Sequence, residues 1–300
     1  MKIKKYFINI NENRLRTGWR ILIFLLIGLA ISKLFSFLIK LIGGPPDDIT
    51  ISEAIKGVVV ILIMTISVWI SRKYLDKKSF VSLGLKFNKH SIRAMLFGFG
   101  LSGFMIALVF FSLLLLGYLN IETIGYNAGI LSSIITVLLW LFSIGFAVGW
   151  SEELVFRGYL LQNLAEGIGI KWAAILSSAF FGLAHMFNPN ATVLAGIIIT
   201  LLTFLLVFGW LRTGQLWVPI GLHAGWNFFM GPIFGLPVSG NNSESFVHNT
   251  IVGPKWFTGG EFGPEGGILV LPIILIGFVV LFYLTKKRNN TPWTKQIIKH

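Results

Sequence analysis

Long apolar runs separated by short polar stretches repeat along the whole chain, at about 21–40, 55–71, 94–118, 130–160, 171–187, 191–211, 216–236 and 267–284. A helix crossing the hydrocarbon core of a bilayer needs about 20 apolar residues. The pattern therefore predicts an all-α fold, a polytopic membrane bundle with about eight transmembrane helices. The second and fifth runs are short and the fourth is long, so the fourth helix is expected to be tilted or to extend beyond one span. The first run, from Ile21 to about Ile39, follows the basic start Met1-Lys2-Ile3-Lys4-Lys5, lacks a small-residue cleavage site and is long enough to span. It reads as a retained helix rather than a signal peptide. No internal repeat or low-complexity tract is evident. The chain divides into N-terminal helices (1–120), a motif-bearing core (121–236), and a segment of loop, last helix and basic tail (237–300).

Composition agrees with this pattern. With 55% hydrophobic residues, 12% charged residues and a mean hydropathy of +0.79, the chain lies outside soluble globular usage. The absence of cysteine excludes disulfides, thiolate metal sites and a cysteine nucleophile.

Basic residues test the span count, because they should gather in alternate loops. Lys2, Lys4, Lys5, Arg14, Arg16 and Arg20, then Arg72, Lys73, Lys77, Lys78, Lys86, Lys89 and Arg93, then Lys286, Lys287, Arg288, Lys295 and Lys299 all fall on one side, with Arg157, Lys171 and Arg212 near it. The opposite loops carry Asp47, Asp48, Glu53, Glu122, Glu244, Glu261 and Glu265, with Lys40, Lys56 and Lys255 the bases near them. This predicts a multi-pass protein of the cell membrane with both termini cytoplasmic. The net charge of +13 follows from that topology and from attraction to anionic lipid. The lysines are not interleaved with aromatics, so nucleic acid is not expected as a partner.

Three segments break the apolar pattern inside predicted spans: Glu152-Glu153-Leu154-Val155-Phe156-Arg157, Phe181-Gly182-Leu183-Ala184-His185 and His223-Ala224-Gly225-Trp226-Asn227. Ionisable groups in hydrocarbon cost several kcal/mol unless paired, and they mark function by default. Residues four apart share a helix face, so Glu153 is expected to pair with Arg157 while Glu152 turns about 100° away. Glu152 is then free to act as a general base. His223 and Asn227, also four apart, offer two donors to one spot, which suits the binding of a developing oxyanion. Phe181 should stack below His185, which lies just before the helix-ending Asn188-Pro189 and is placed to orient a water. If the fourth helix stays in the membrane as far as Glu166, Glu152 is about 21 Å deep, level with His185, which lies about 21 Å from Lys171. The length of the 130–165 apolar stretch favours this over an exit at Arg157.

The three motifs, in this order and on separate hydrophobic helices, resemble the signature of the CAAX-prenyl-protease and bacteriocin-processing family of intramembrane proteases. The resemblance covers about residues 130–230. It implies a helix bundle with an intramembrane, cytoplasm-accessible cavity and hydrolysis of a peptide bond in a membrane-associated peptide or protein. It also implies that Glu152 activates water, Glu153 and Arg157 support it, His185 is a second water ligand, and His223 with Asn227 forms the oxyanion site.

Two other classes are open on the residues alone: a non-catalytic membrane scaffold or immunity protein that keeps the motifs for folding, and a proton-coupled transporter. A transporter should show inverted repeats, and none is found. A zinc ion held by Glu152, His185 and His223 with an open water position is the alternative to a metal-free reaction. No His-Glu-x-x-His is present, no second-shell carboxylate is obvious near His185 or His223, and Asn227 suits an oxyanion better than a metal, so a metal-free glutamate mechanism without cofactor is the expectation. His90, His248 and His300 are expected to be solvated.

Overall fold

The computed structural model describes residues 4–9, 12–41, 43–125 and 129–285. Lys2, the tail bases Lys286, Lys287, Arg288, Lys295 and Lys299, and His300 lie outside the described residues. Each apolar segment of the sequence forms a helix: α1 Thr17–Leu41, α2 Ile49–Ile70, α3 Lys89–Leu115, α4 Ile130–Ile168, α5 Ile170–His185, α6 Val193–Thr213, α7 Trp217–Phe228 and α8 Val270–Leu284. Among the described residues, five are long and apolar enough to cross a membrane: α1, α2 with its extension to Leu75, α3, α4 and α6. The chain is a multi-pass membrane helix bundle. The eight spans expected from the sequence thus become five full-length ones and three shorter helices, because α5 and α8 are of 10–17 residues and α7 of 12.

Helix ends follow local chemistry. Asp48 caps α2 by accepting from the Ile51 amide at 2.9 Å, and Asn88 with Ser91 forms a reciprocal capping box on α3. Thr192 caps α6, and Gly214 ends it in the left-handed region at φ 65°. The long α4 carries π-helical turns at Leu141–Ala147 and Leu154–Leu160, the second beginning directly after Glu153. Such turns recur at functional sites.

The centre of the bundle is α7, in which every residue from Trp217 to Phe228 is buried. It is sandwiched between α3 and α4 through small residues. A Cβ on Gly221 would lie 2.0 Å from the Met95 carbonyl oxygen, and one on Gly149 would lie 2.9 Å from the Ala224 amide nitrogen. Close approach through small residues is the normal device where lipid gives no hydrophobic drive for association. At the periphery, α1 buries Arg20 and Phe24 and exposes Leu22, Leu25, Leu26 and Leu29.

Two features depart from the sequence reading. A short antiparallel ribbon pairs β1 (Leu119–Ile124) with β2 (Val247–Ile251), with an irregularity between Ile121 and Thr123. His248, expected to be solvated, lies in β2 and is half-buried; His90 is exposed as expected. The basic residues counted as loop charges are partly interior. Arg20, Arg72 and Asp76 are buried, with Arg20–Asp76 and Arg72–Asp76 contacts of 2.9 Å, and Glu166 joins Arg20 at 3.1 Å and Arg14 at 2.9 Å. This cluster locks the starts of α1 and the ends of α2 and α4 to one face of the bundle.

Candidate active site

The cluster at Glu166 gives a reference point for the motifs, because α4 runs unbroken from Glu152 to Ile168. At 1.5 Å per residue, Glu152 lies about 21 Å from Glu166 along the helix.

Glu153 is fully buried. Its Oε1 accepts from Arg157 Nη1 at 2.8 Å, as the four-residue spacing predicts. The same oxygen lies 2.8 Å from His223 Nδ1. An ionised carboxylate can only accept, so His223 carries its proton on Nδ1 and donates it. The sequence did not reveal this contact, which joins α4 to α7. His223 Nε2 then points toward Glu152, 3.7 Å from Oε2. That Glu152 oxygen has no hydrogen-bond partner, and its side chain keeps 32% exposure.

Phe181 organises the rest. Its ring stacks on His185 with centroids 4.5 Å apart, supports the Arg157 guanidinium at 4.6 Å and meets His223 edge-on at 5.9 Å. His185 Nδ1 lies 2.9 Å from the Phe181 carbonyl oxygen. A carbonyl only accepts, so Nδ1 carries the proton and Nε2 is left as an acceptor for a water. Asn227 is 95% buried, and its Nδ2 reaches the Ile144 carbonyl at only 3.5 Å, a marginal bond. Its amide is available to a ligand.

Glu152, His185, His223 and Asn227 all line one cavity of about 640 Å³. The site residues expected from the sequence are thus brought together, with Glu153 and Arg157 behind them. The lining also includes residues that no motif marked. Glu265 is buried, its Oε1 accepting from Trp226 Nε1 at 2.8 Å and its Oε2 from the Ser239 amide at 2.8 Å. It ties the loop after α7 to the motif helix. Ser102 on α3 donates to the Leu222 carbonyl at 2.5 Å, directly beside His223.

The cavity runs from mid-bundle to a rim formed by Ile49 and Glu53 at the start of α2 and by Asn241–Glu244 after α7, and its lining includes no residue of 72–93 or 207–217. Its polar rim is therefore on the face opposite the Arg20–Asp76–Glu166 cluster. The basic-residue pattern expects that cluster on the cytoplasmic side and the resemblance implies a cytoplasm-accessible cavity, and with rim and cluster at opposite ends these two expectations exclude each other. The reason is the direction of α2 and α4, both of which run from the rim to the cluster.

The case for or against metal also shifts. The expectation that no carboxylate stands near His223 is wrong, since Glu153 holds its Nδ1. Both histidines have Nδ1 tied to an acceptor, as metal-bound imidazoles do. Among the described residues, however, no three His, Asp or Glu side chains group closely enough to hold an ion.

Residues 133–229 match the family model described as Type II CAAX prenyl endopeptidase Rce1-like. The match spans about a third of the chain and contains all three motifs. It is the family to which the motifs pointed. No curated protein matches the chain.

Proposed function

We propose, from the match to the Rce1-like CAAX endopeptidase family over residues 133–229, that this protein hydrolyses a peptide bond of a membrane-associated substrate with a water activated by Glu152. The observation that carries this reading is the shared cavity of Glu152, His185, His223 and Asn227. Glu152 takes a proton from a water that also donates to His185 Nε2, and the oxygen attacks the scissile carbonyl carbon. The oxyanion accepts from Asn227 Nδ2 and from His223 Nε2. Because Nδ1 of His223 is already committed to Glu153, that second donation requires the ring protonated at both nitrogens. Glu152 then returns its proton to the leaving nitrogen, and the C–N bond breaks. Donors fixed before reaction in a water-poor cavity act strongly on developing charge. The reaction needs no metal in this account. The basic cluster faces the cytoplasm, following the positive-inside rule.

Purified protein in lipid vesicles should cut peptides bearing a hydrophobic anchor, and mass spectrometry of the products should locate one internal bond. Failure to cut any of a broad set of anchored peptides, with the protein folded, would count against the reading.

A further inference from the structure

Glu265 lies outside the matched segment 133–229 and outside all three motifs, yet it stands in the cavity wall with the motif residues. It is buried, and it accepts from three neutral donors. Trp226 Nε1 reaches Oε1 at 2.8 Å, while the Ser239 amide at 2.8 Å and Ser239 Oγ at 2.5 Å reach Oε2. Burying a carboxylate against neutral donors costs more than burying a neutral side chain. Its place here calls for a geometric reason.

That reason lies at both ends of the contact. Trp226 directly precedes Asn227 on α7. Ser239 has φ 48°, a left-handed backbone that non-glycine residues rarely adopt and that persists only where the surroundings over-determine it. Glu265 holds its amide and hydroxyl, and its carbonyl accepts from Asn188 Nδ2 at 3.0 Å. The Asn188 amide in turn donates to the His185 carbonyl at 3.1 Å. The next residue, Gly240, approaches the end of α5 so closely that a Cβ on it would lie 2.0 Å from the Pro189 carbonyl oxygen. The Glu153–His223 contact joins α4 to α7; this second chain of contacts joins α7 to the end of α5.

Only a carboxylate satisfies the arrangement. All three partners donate, and an ionised carboxylate only accepts. Glutamine has nearly the same shape, but its NH2 would face either the indole N–H or the Ser239 amide, donor against donor.

We propose that Glu265 is a positioning residue of the peptide-hydrolysing site, setting the distance between His185, which orients the water, and Asn227, which receives the oxyanion. This rests on the endopeptidase reading above. Attack needs both groups in place at once, and a misplacement of about 1 Å can cost on the order of a hundredfold in rate. The oxyanion forms only in the transition state, so the loss falls on kcat and not on KM.

The test compares full-length wild type, Glu265→Gln, Trp226→Phe and the double variant in lipid vesicles, with anchored peptides as substrate. Glu265→Gln should lower kcat about 10- to 100-fold, with KM within about twofold and the melting temperature near that of the wild type. Trp226→Phe keeps a ring and removes the donor, and should lower kcat less. In the double variant the glutamine NH2 no longer meets the indole N–H, so the loss should be smaller than the product of the single losses. A folded Glu265→Gln with wild-type kcat, a loss confined to KM, or strict multiplication of the two losses overturns the inference and leaves the endopeptidase reading standing. If Glu265→Gln does not fold, Trp226→Phe decides: a kcat loss at unchanged KM supports the inference, and unchanged kcat overturns it. If the wild type cuts no peptide, the endopeptidase reading fails, and the ring-nitrogen resonances of His185 in histidine-labelled protein report the geometry. A shift in whichever single variant folds then supports the positioning role, and an unchanged resonance overturns it.

Discussion

His223 Nδ1 and Arg157 Nη1 meet at one oxygen, Glu153 Oε1, each at 2.8 Å. The second glutamate of the pair therefore serves as a joint between α4 and α7, and the first is left unbonded at the cavity wall. Side chains adjacent in sequence divide the work because a helix turns them about 100° apart.

Glu152→Gln should abolish peptide cleavage and keep the melting temperature near that of the wild type. The substitution removes the base and preserves the shape at a half-buried position. Wild-type turnover by this variant, measured on the anchored peptides, would remove Glu152 from its assigned role.

Glu153→Ala should be poorly folded as well as inactive, since it strands Arg157 as a buried unpaired charge, at a cost of about 3–5 kcal/mol. Combining it with Arg157→Met should recover part of the loss, so the double variant is less destabilised than the sum of the singles. Denaturant titration of the set checks this. Strict additivity would mean that the pair carries no coupling.

Glycine substitutions should separate packing from propensity. Gly221→Ala places a methyl 2.0 Å from the Met95 carbonyl oxygen, so α3 and α7 must move apart, whereas Gly100 has open space around its added Cβ. We expect Gly221→Ala to lower stability by more than about 2 kcal/mol and Gly100→Ala to be neutral or stabilising by up to about 1 kcal/mol. Thermal unfolding in one detergent suffices for the comparison.

Membrane sidedness is open to cysteine labelling because the chain has no cysteine of its own. Ser71 is buried and unsuitable, but Ser79 and Asn242 are exposed. Single cysteines at these two positions should label from opposite sides, with residue 79 cytoplasmic. Labelling of both from one side would contradict the bundle's direction.

Exhaustive treatment with a membrane-permeant chelator should leave activity intact, and elemental analysis should find well under one zinc per chain. Stoichiometric zinc, with inactivation by the chelator and recovery on zinc addition, would reassign Glu152, His185 and His223 as ligands.

The parts of this architecture that were legible in the sequence are the local ones. Apolar run length reports helices directly, because hydrocarbon leaves the backbone no other way to satisfy its polar groups. The Glu153–Arg157 pair and the Phe181–His185 stack follow from four-residue spacing. Glu153–His223, 70 residues apart, has no such rule behind it, because the contact forms between separate helices. Glu265 sits in a Gly-rich loop whose composition suggests exposure, yet Trp226 and Ser239 draw it inside. The β1–β2 ribbon joins segments far apart in sequence and too short to display alternation. Which end of the bundle the cavity opens to depends on helix direction, which lies outside what the three motifs encode.

The Arg20–Glu166 contact also constrains how the protein is made. Its partners are 146 residues apart, so at 5–20 residues per second the ribosome needs roughly 7–30 s after Arg20 to supply Glu166. During that interval α1 has Asp76 as its buried-charge partner and remains unlocked from α4. Completion of the first helix's docking therefore waits on the fourth, and a nascent chain halted before residue 166 should crosslink from α1 to α2 without the contact to α4.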